Sequence, residues 1–475
     1  METGRRLDGW GRSGINPLAS RRVFSHSLPV LISRILHAGY VFDCAGTRIA
    51  FDPIFENPFS RNCHAFPDVR FDHARIRELK WDAVFISHFH DDHCSFESLN
   101  LLDRATPIHM FCPREEMFDL LRALGFHQVH SLELNQKIRI GPFEITPRRA
   151  LDEDVDSIFQ IKAAGLNILN VVDSWIDDDT MGLLVREGPW DLVLWPFQTM
   201  REIEVLSPSR FEAAPRGMPP EWIEQLRVLQ PRFLVPSSCQ FRMEDWSWYN
   251  KAFFPISYRR FQDETSAILP KTEVLRMNPS TSWIFSGKGR SPAAPLAWME
   301  PVGEQDVDYD YDPGAKPLST AEIARFLPAS GARQARRVQD YCRTEIIEKH
   351  LSLELSEESY FQKPRFWRLS LFDHTGDVQH HWYGIEGNIM RSVAAPETPP
   401  DWTTEVPLVK LHAALEDGES LTSMYVRING GVFSPETERE LRNSDLLEDP
   451  LIRCLFSGSF ASYQKAQLAK LTRVP

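Results

Sequence analysis

The sequence predicts an α/β protein in which two sheets pack face to face beneath outer helices, an αββα sandwich, with a smaller α+β domain after it. Three observations carry this expectation. Across residues 30–290 short β-rich runs alternate with helical runs, the pattern of layered sheets and helices. Several apolar runs stop abruptly at clusters of His, Asp and Ser, as strands do when their ends line a site. A chain of 475 residues also exceeds the size at which one core stops growing, so two domains are expected.

Residues 1–27 carry Arg5, Arg6, Arg12, Arg21 and Arg22 outside any motif and read as a flexible leader. VLISRIL, GYVFDC and RIAFDP, separated by turns, form a β-meander. AVFISH is a buried strand that ends in a His/Asp cluster, FESLNLL has helical spacing, and PIHMFCP reads as a strand. REEMFDLLRALGF is an amphipathic helix stopped at Gly125, and KIRIGPFEITPRRA is a hairpin turning at Gly-Pro. SIFQIKAAGLNILNVVDS gives two more strands joined through Ala-Ala-Gly. DLVLWPF, helical WIEQLRVLQ and RFLVPSS then complete a domain set at 28–290. Five prolines among acidic and small residues mark 291–320 as a linker. The C-terminal α+β domain, 321–475, holds helices at AEIARFL and RRVQDYCRTEIIEKHL, strands around FWRLSLFD and MYVRING, and a helical end.

Composition narrows the partners. The net charge is −13 and the cations are scattered, which argues against a nucleic-acid or anionic-membrane partner. Seven cysteines without a CxxC pair fit a reducing cytoplasm. No signal peptide and no spanning run of apolar residues is visible, so neither secretion nor membrane insertion is expected.

The chemistry concentrates in Ser87–His93, SHFHDDH. Alternate residues at a strand end aim His88 and His90 at one ion, while the following turn brings Asp92 and His93 round to a second. Imidazoles and carboxylates suit divalent zinc, iron or manganese. The competing reading, three histidines close by chance, explains neither the strand before them nor the spacing.

With ISHFHDDHCSFESL, the ALDEDVDSIFQIKAAGLNILNVVDS strand pair and LQPRFLVPSSCQF in view, the chain resembles the metallo-β-lactamase superfamily. Within it, the sequence is similar to the branch of cytidine monophosphate N-acetylneuraminate (CMP-Neu5Ac) hydroxylase, over roughly residues 30–465. That hydroxylase also carries a Rieske domain, whose cluster needs Cys-x-His and Cys-x-x-His, and neither occurs here. The resemblance implies a carboxylate between two metals at Asp173. It also implies a ligand in the turn of Asp152, Glu153 and Asp154, where relatives supply a histidine, with Asp152 as the candidate. Where a final histidine is usual, this chain has Pro236, Ser237, Ser238, Cys239 and Gln240. Cys239 is then a thiolate ligand or a buried inert thiol, and Ser237, Ser238 and Gln240 are candidate substrate contacts. His37 and Asp52 fall where the fold places groups that orient the ligands; alternatively Asp52 starts a turn with Pro53 and His37 is a core residue. The oxygen-rich set leans toward iron or manganese, with zinc retained.

Three functions remain open. The first is a hydrolase using a metal-activated water at a dinuclear site, with Asp92 orienting the water and Asp173 between the ions. The second is a diiron oxygenase taking electrons from a ferredoxin-like partner, and the third a binding protein with a decayed site. Either enzyme acts on a small molecule. Trp175, Trp195, Trp246, Trp248 and Tyr249 are candidate pocket aromatics, though most tryptophans fill core. The C-terminal domain is either a lid or a dimer surface.

Overall fold

The computed structural model describes residues 28–152, 155–200, 204–210, 212–442 and 444–472, so the leader and the expected acidic-turn residues Glu153 and Asp154 lie outside the described residues. Strands Val30–Arg34, Tyr40–Cys44 and Thr47–Phe51 form the expected meander at the centre of an eight-stranded sheet. On one side it continues in parallel through Ala83–Ile86, Ile108–Met110 and Val129–Ser131. On the other, Ser282–Ser286 and Gly289–Pro292 extend it as antiparallel strands.

The second sheet has seven strands. Ile138–Ile140, Phe143–Arg149, Ser157–Ala163 and Leu166–Asn170 are antiparallel neighbours; Leu192–Pro196, Phe233–Ser237 and Glu273–Val274 follow in parallel. The hairpin turns take the left-handed conformation at Gly141, φ 53°, and at Ala164 and Gly165, φ 53° and 82°.

The apolar faces meet between the sheets, where Phe42, Phe51 and Phe85 of the first sheet pack on Phe143 and Phe159 of the second. Phe51 and Phe159 have ring centroids 5.0 Å apart. Helix Glu115–Ala123 covers one outer face through Met117, Phe118 and Leu121, and Pro220–Leu229 covers the other through Trp222, Leu226 and Leu229. Each strip follows the three-to-four-residue spacing that gives a helix one apolar side. The observed architecture is therefore the predicted α/β sandwich.

Residues 291–320 are not the free linker that their prolines suggested. Met299–Pro301 pairs antiparallel with Val69–Phe71, Trp298 is buried, and the Tyr309 hydroxyl donates to the carbonyls of Cys239 and Phe241 at 2.8 and 3.0 Å. The large apolar and aromatic side chains scattered through this segment, rather than its prolines, decide where it lies.

Beyond it, a five-stranded sheet in the order Ile389–Ser392, Val378–Glu386, Arg365–Phe372, Trp402–Pro407, Arg427–Ile428 packs on helices around a core of its own that includes Trp367, Trp402 and Tyr383. The C-terminal helix Ser462–Thr472 crosses back to the first domain. Among the described residues no helix is long and apolar enough to cross a membrane, and none of the seven cysteines is in a disulfide.

Candidate metal centre

One rim of the sandwich gathers the ends of six strands. His37 follows Val30–Arg34, Asp52 follows Thr47–Phe51, Ser87–His93 follow Ala83–Ile86, Asp156 precedes Ser157–Ala163, Asp173 follows Leu166–Asn170, and Cys239 follows Phe233–Ser237. His37, Asp52, Val172, Ser238 and Cys239 all have positive φ, between 40° and 64°. Left-handed backbone costs a non-glycine residue on the order of 1 kcal/mol, more for β-branched Val172. Such strain gathered at one rim marks a site whose geometry the surrounding fold enforces.

Hydrogen bonds fix which nitrogens face the rim. Asp52, fully buried, accepts from the Ser87 backbone N–H at 2.7 Å and from the Ser87 hydroxyl at 2.8 Å. Having given its proton to that carboxylate, Ser87 Oγ accepts from His88 Nδ1 at 2.9 Å. His93 Nδ1 donates to Asp52 Oδ2 at 3.2 Å. Both rings therefore commit Nδ1 to the framework, which turns Nε2 of His88 and of His93 to the rim. His88 Nε2 lies 3.0 Å from His90 Nδ1, and His93 Nε2 lies 3.0 Å from Asp173 Oδ2.

His37 differs in polarity. Its Nδ1 accepts the Cys239 backbone N–H at 2.9 Å, so the neutral ring carries its proton on Nε2. That proton faces Asp92 Oδ2 at 3.1 Å, with Asp173 Oδ2 at 3.5 Å and His93 Nε2 at 3.0 Å. His37, Asp92, His93 and Asp173 form one cluster able to hold an ion by distance. By proton placement His37 is a donor that steers Asp92, and the atoms of this cluster that could take an ion are the other three. The buried Arg34 guanidinium holds the His37 turn by donating to its carbonyl, to the Tyr40 hydroxyl and to Pro236 O.

The charges interlock. Burial opposes protonation of His93, but Asp173 and Asp92 outweigh it and hold the ring well above the ordinary histidine range. Burial also opposes ionisation of Asp92 and Asp173; the adjoining His93 and His37 overcome it and hold both carboxyls below the usual range. His88 is pushed well down by burial and then by His93 and His90, so it stays neutral, as a ligand must. Burial, then Asp173, pushes the Asp156 carboxyl up to about 7.

Residues 32–197 match the family model described as a beta-lactamase superfamily domain. This part of the chain has the metallo-β-lactamase fold. A ribonuclease Z from Thermococcus kodakarensis is 32% identical over 85 residues, 15% of this chain and 27% of that protein, so the match spans about a quarter of that relative. Among solved structures, the metallo hydrolase Igni18 from Ignicoccus hospitalis is 16% identical with a TM-score of 0.37, over 54% of this chain and 99% of that one. The diiron β-hydroxylase CmlA from Streptomyces venezuelae is 17% identical with a TM-score of 0.37, over 54% of each chain. An isothiocyanate hydrolase from Delia radicum gut bacteria is 14% identical with a TM-score of 0.38, over 54% of this chain and all of that one.

Within the metallo-β-lactamase domain, the structure brings together His88, His90, Asp92, His93 and Asp173, with Asp52 and His37 behind them. Asp152 stays outside: it is exposed, and its carbonyl accepts from Val155 and Asp156 N–H in a turn. That turn swings Asp156 inward in its place, and the Ser157 hydroxyl ties the strand start to Ser87 O at 2.9 Å. The position of Asp156 directly before the start of a strand was the available signal. Ser237, Ser238 and Gln240 are corrected from substrate contacts to buried framework. Ser237 Oγ bonds the Tyr40 hydroxyl at 3.0 Å, the Gln240 amide donates to Met277 O at 3.0 Å, and none of the three lines the pocket. Cys239 does line it, and its backbone N–H serves the centre through His37. Of the candidate aromatics only Trp175 reaches the pocket; Trp195, Trp248 and Tyr249 are buried, and Trp246 stacks on Phe326.

These residues fit divalent metal. Asp173 Oδ1 and Asp156 Oδ1 are buried acceptors with no hydrogen-bond partner, a condition that costs roughly 1–3 kcal/mol each unless a cation or donor answers it. Imidazole nitrogens and carboxylate oxygens at one rim are the donor set such an ion takes.

Proposed function

We propose that this chain is a metal-dependent hydrolase acting on a small molecule at a dinuclear centre. His88 and His90 would hold one ion, Asp92 and His93 the other, with Asp173 between them. The observation that carries this is the Asp52–Ser87 bonding, which turns the Nε2 atoms of His88 and His93 toward the rim where Asp92 and Asp173 converge. Divalent ions there supply Lewis acidity and lower the pKa of a bound water. The chain's own residues do the rest. His37 Nε2–H orients Asp92. Asp156 faces the pocket from the start of its strand and is placed to take or return a proton there. The stretch shared with a ribonuclease Z supports hydrolysis as the reaction class.

A second reading, a diiron oxygenase related to the CMP-Neu5Ac hydroxylase branch and fed by a ferredoxin-like donor, is favoured by one feature. Carboxylates Asp92, Asp156 and Asp173 match the histidines in number, and an oxygen-rich set suits iron. Elemental analysis of protein purified with and without air separates the two: zinc with hydrolysis supports the first, iron with oxygen uptake the second. Absence of stoichiometric metal, with function intact in His88→Ala, would overturn both and leave a cytoplasmic binding protein.

A further inference from the structure

The candidate centre forms the floor of a pocket of about 760 Å³, within the roughly 300–1,000 Å³ typical of small-molecule sites. Its walls come from both domains. Met243 and Phe253 face it from the first domain; Leu421, Leu447, Ile452 and Phe456 face it from the second. The second wall is fastened in place. Ser423 Oγ contacts Ser60 O at 3.1 Å and Asn62 Oδ1 at 2.7 Å, and the Tyr425 hydroxyl donates to Glu244 at 2.5 Å.

Charge in this cavity has one sign. Asp91, Asp92, Asp156 and Asp173 lie at the floor, and no lysine or arginine is among the described lining residues. A single anionic group is matched by metal at the floor, but a second phosphate or carboxylate further out would meet apolar side chains and the neutral hydroxyls of Ser420 and Thr422, with no cation among the described lining residues. Desolvating such a charge unpaired is strongly unfavourable. Polyanions are held by arrays of lysine and arginine, which the described residues of this wall lack.

We propose that the pocket binds an uncharged, largely apolar small molecule whose polar reacting group sits at the metal floor, and that the C-terminal domain is its specificity wall. This rests on the metalloenzyme reading above for the floor, though not for the wall. Leu421 and Leu447 then determine specificity by covering the apolar part of the ligand.

Nile red, a neutral apolar dye, tests the wall in the full-length protein while metal content is measured on the same samples. Saturable binding of one dye per chain is expected. Leu421→Arg and Leu447→Arg should each weaken it about tenfold or more, the worth of a lost apolar contact plus a buried charge. Val432→Arg, at a side chain 86% exposed and outside the pocket, should leave it unchanged. Leu447 is itself 41% exposed, so its replacement is compatible with the fold, and an unfolding transition confirms this. Cytidine diphosphate and pyrophosphate, each with charge beyond a single phosphate, should not displace the dye. No saturable binding, equal binding in both arginine variants, or displacement by those anions would overturn the proposal. Dye binding without metal would count against the catalytic reading alone, and metal without dye binding against the substrate class alone.

Discussion

Asp52 is the residue on which the candidate centre turns. One carboxylate receives a backbone N–H, a serine hydroxyl and an imidazole N–H, and so sets the proton positions of two histidines it does not itself replace as a ligand. Asp52→Asn offers an amide in place of one acceptor oxygen and leaves His93 free to take the other tautomer. Metal affinity should fall about ten- to a hundredfold with the fold retained, measured by titration of the metal-free protein. Unchanged affinity would remove Asp52 from the centre.

A second residue governs acid sensitivity away from the site. His109 stacks between Phe85 at 4.9 Å and His130 at 4.8 Å, and burial, reinforced by His130, pushes it down to about 4. Below its ordinary pKa of 6.5 the unfolded chain binds a proton here that the folded chain refuses, so stability falls as pH drops from 6.5 toward 4. His109→Phe should narrow the gap between melting temperatures at pH 7 and pH 5. An equal gap in parent and variant would contradict the assignment.

At the scale of elements, the metal loop is braced by a helix nearly four hundred positions later in the chain. Buried Gln464, on Ser462–Thr472, donates to Phe89 O at 2.8 Å and Cys94 O at 2.9 Å, on either side of the HDDH turn. Gln467 accepts from Phe96 N–H at 2.7 Å and donates to Ser95 Oγ at 3.0 Å, and Phe460 packs on Phe89. Gln464→Leu takes the donor from one buried and one half-buried carbonyl, which should destabilise by about 1–3 kcal/mol in denaturant unfolding. It should also weaken metal binding, because the loop is released. Lost stability with unaltered metal affinity would show a brace that is structural alone. No periodicity within either segment announces this contact, since it joins two locally ordinary stretches.

For the molecule as a whole, a ligand that binds only the folded state raises its stability, by about 2.7 kcal/mol at a hundredfold excess over Kd. Added zinc or iron(II) should therefore raise the melting temperature of the metal-free protein, and a chelator should reverse it. In His88→Ala both effects should shrink; an undiminished shift there would place the ion elsewhere. Because the C-terminal domain supplies both a pocket wall and the Gln464 brace, the two domains act as one unit around the centre rather than as enzyme and appendage.

The sandwich was legible in the amino-acid sequence because strand and helix periods are local, and apolar alternation in RIAF, AVFI and SIFQI states which faces meet. SHFHDDH was legible for the same reason: its spacing alone turns alternate rings to one side of a strand end. Choices made by distant partners were not. Asp156 rather than Asp152 points inward because a turn closes on Asp152 O and Ser157 is tied to Ser87, and Ser237 and Gln240 serve the framework because their partners, Tyr40 and Met277, lie far off in the chain. The proton on His37, the packing of 291–320 and the wall over the candidate centre were likewise decided by tertiary structure, where groups far apart in the chain come within bonding distance.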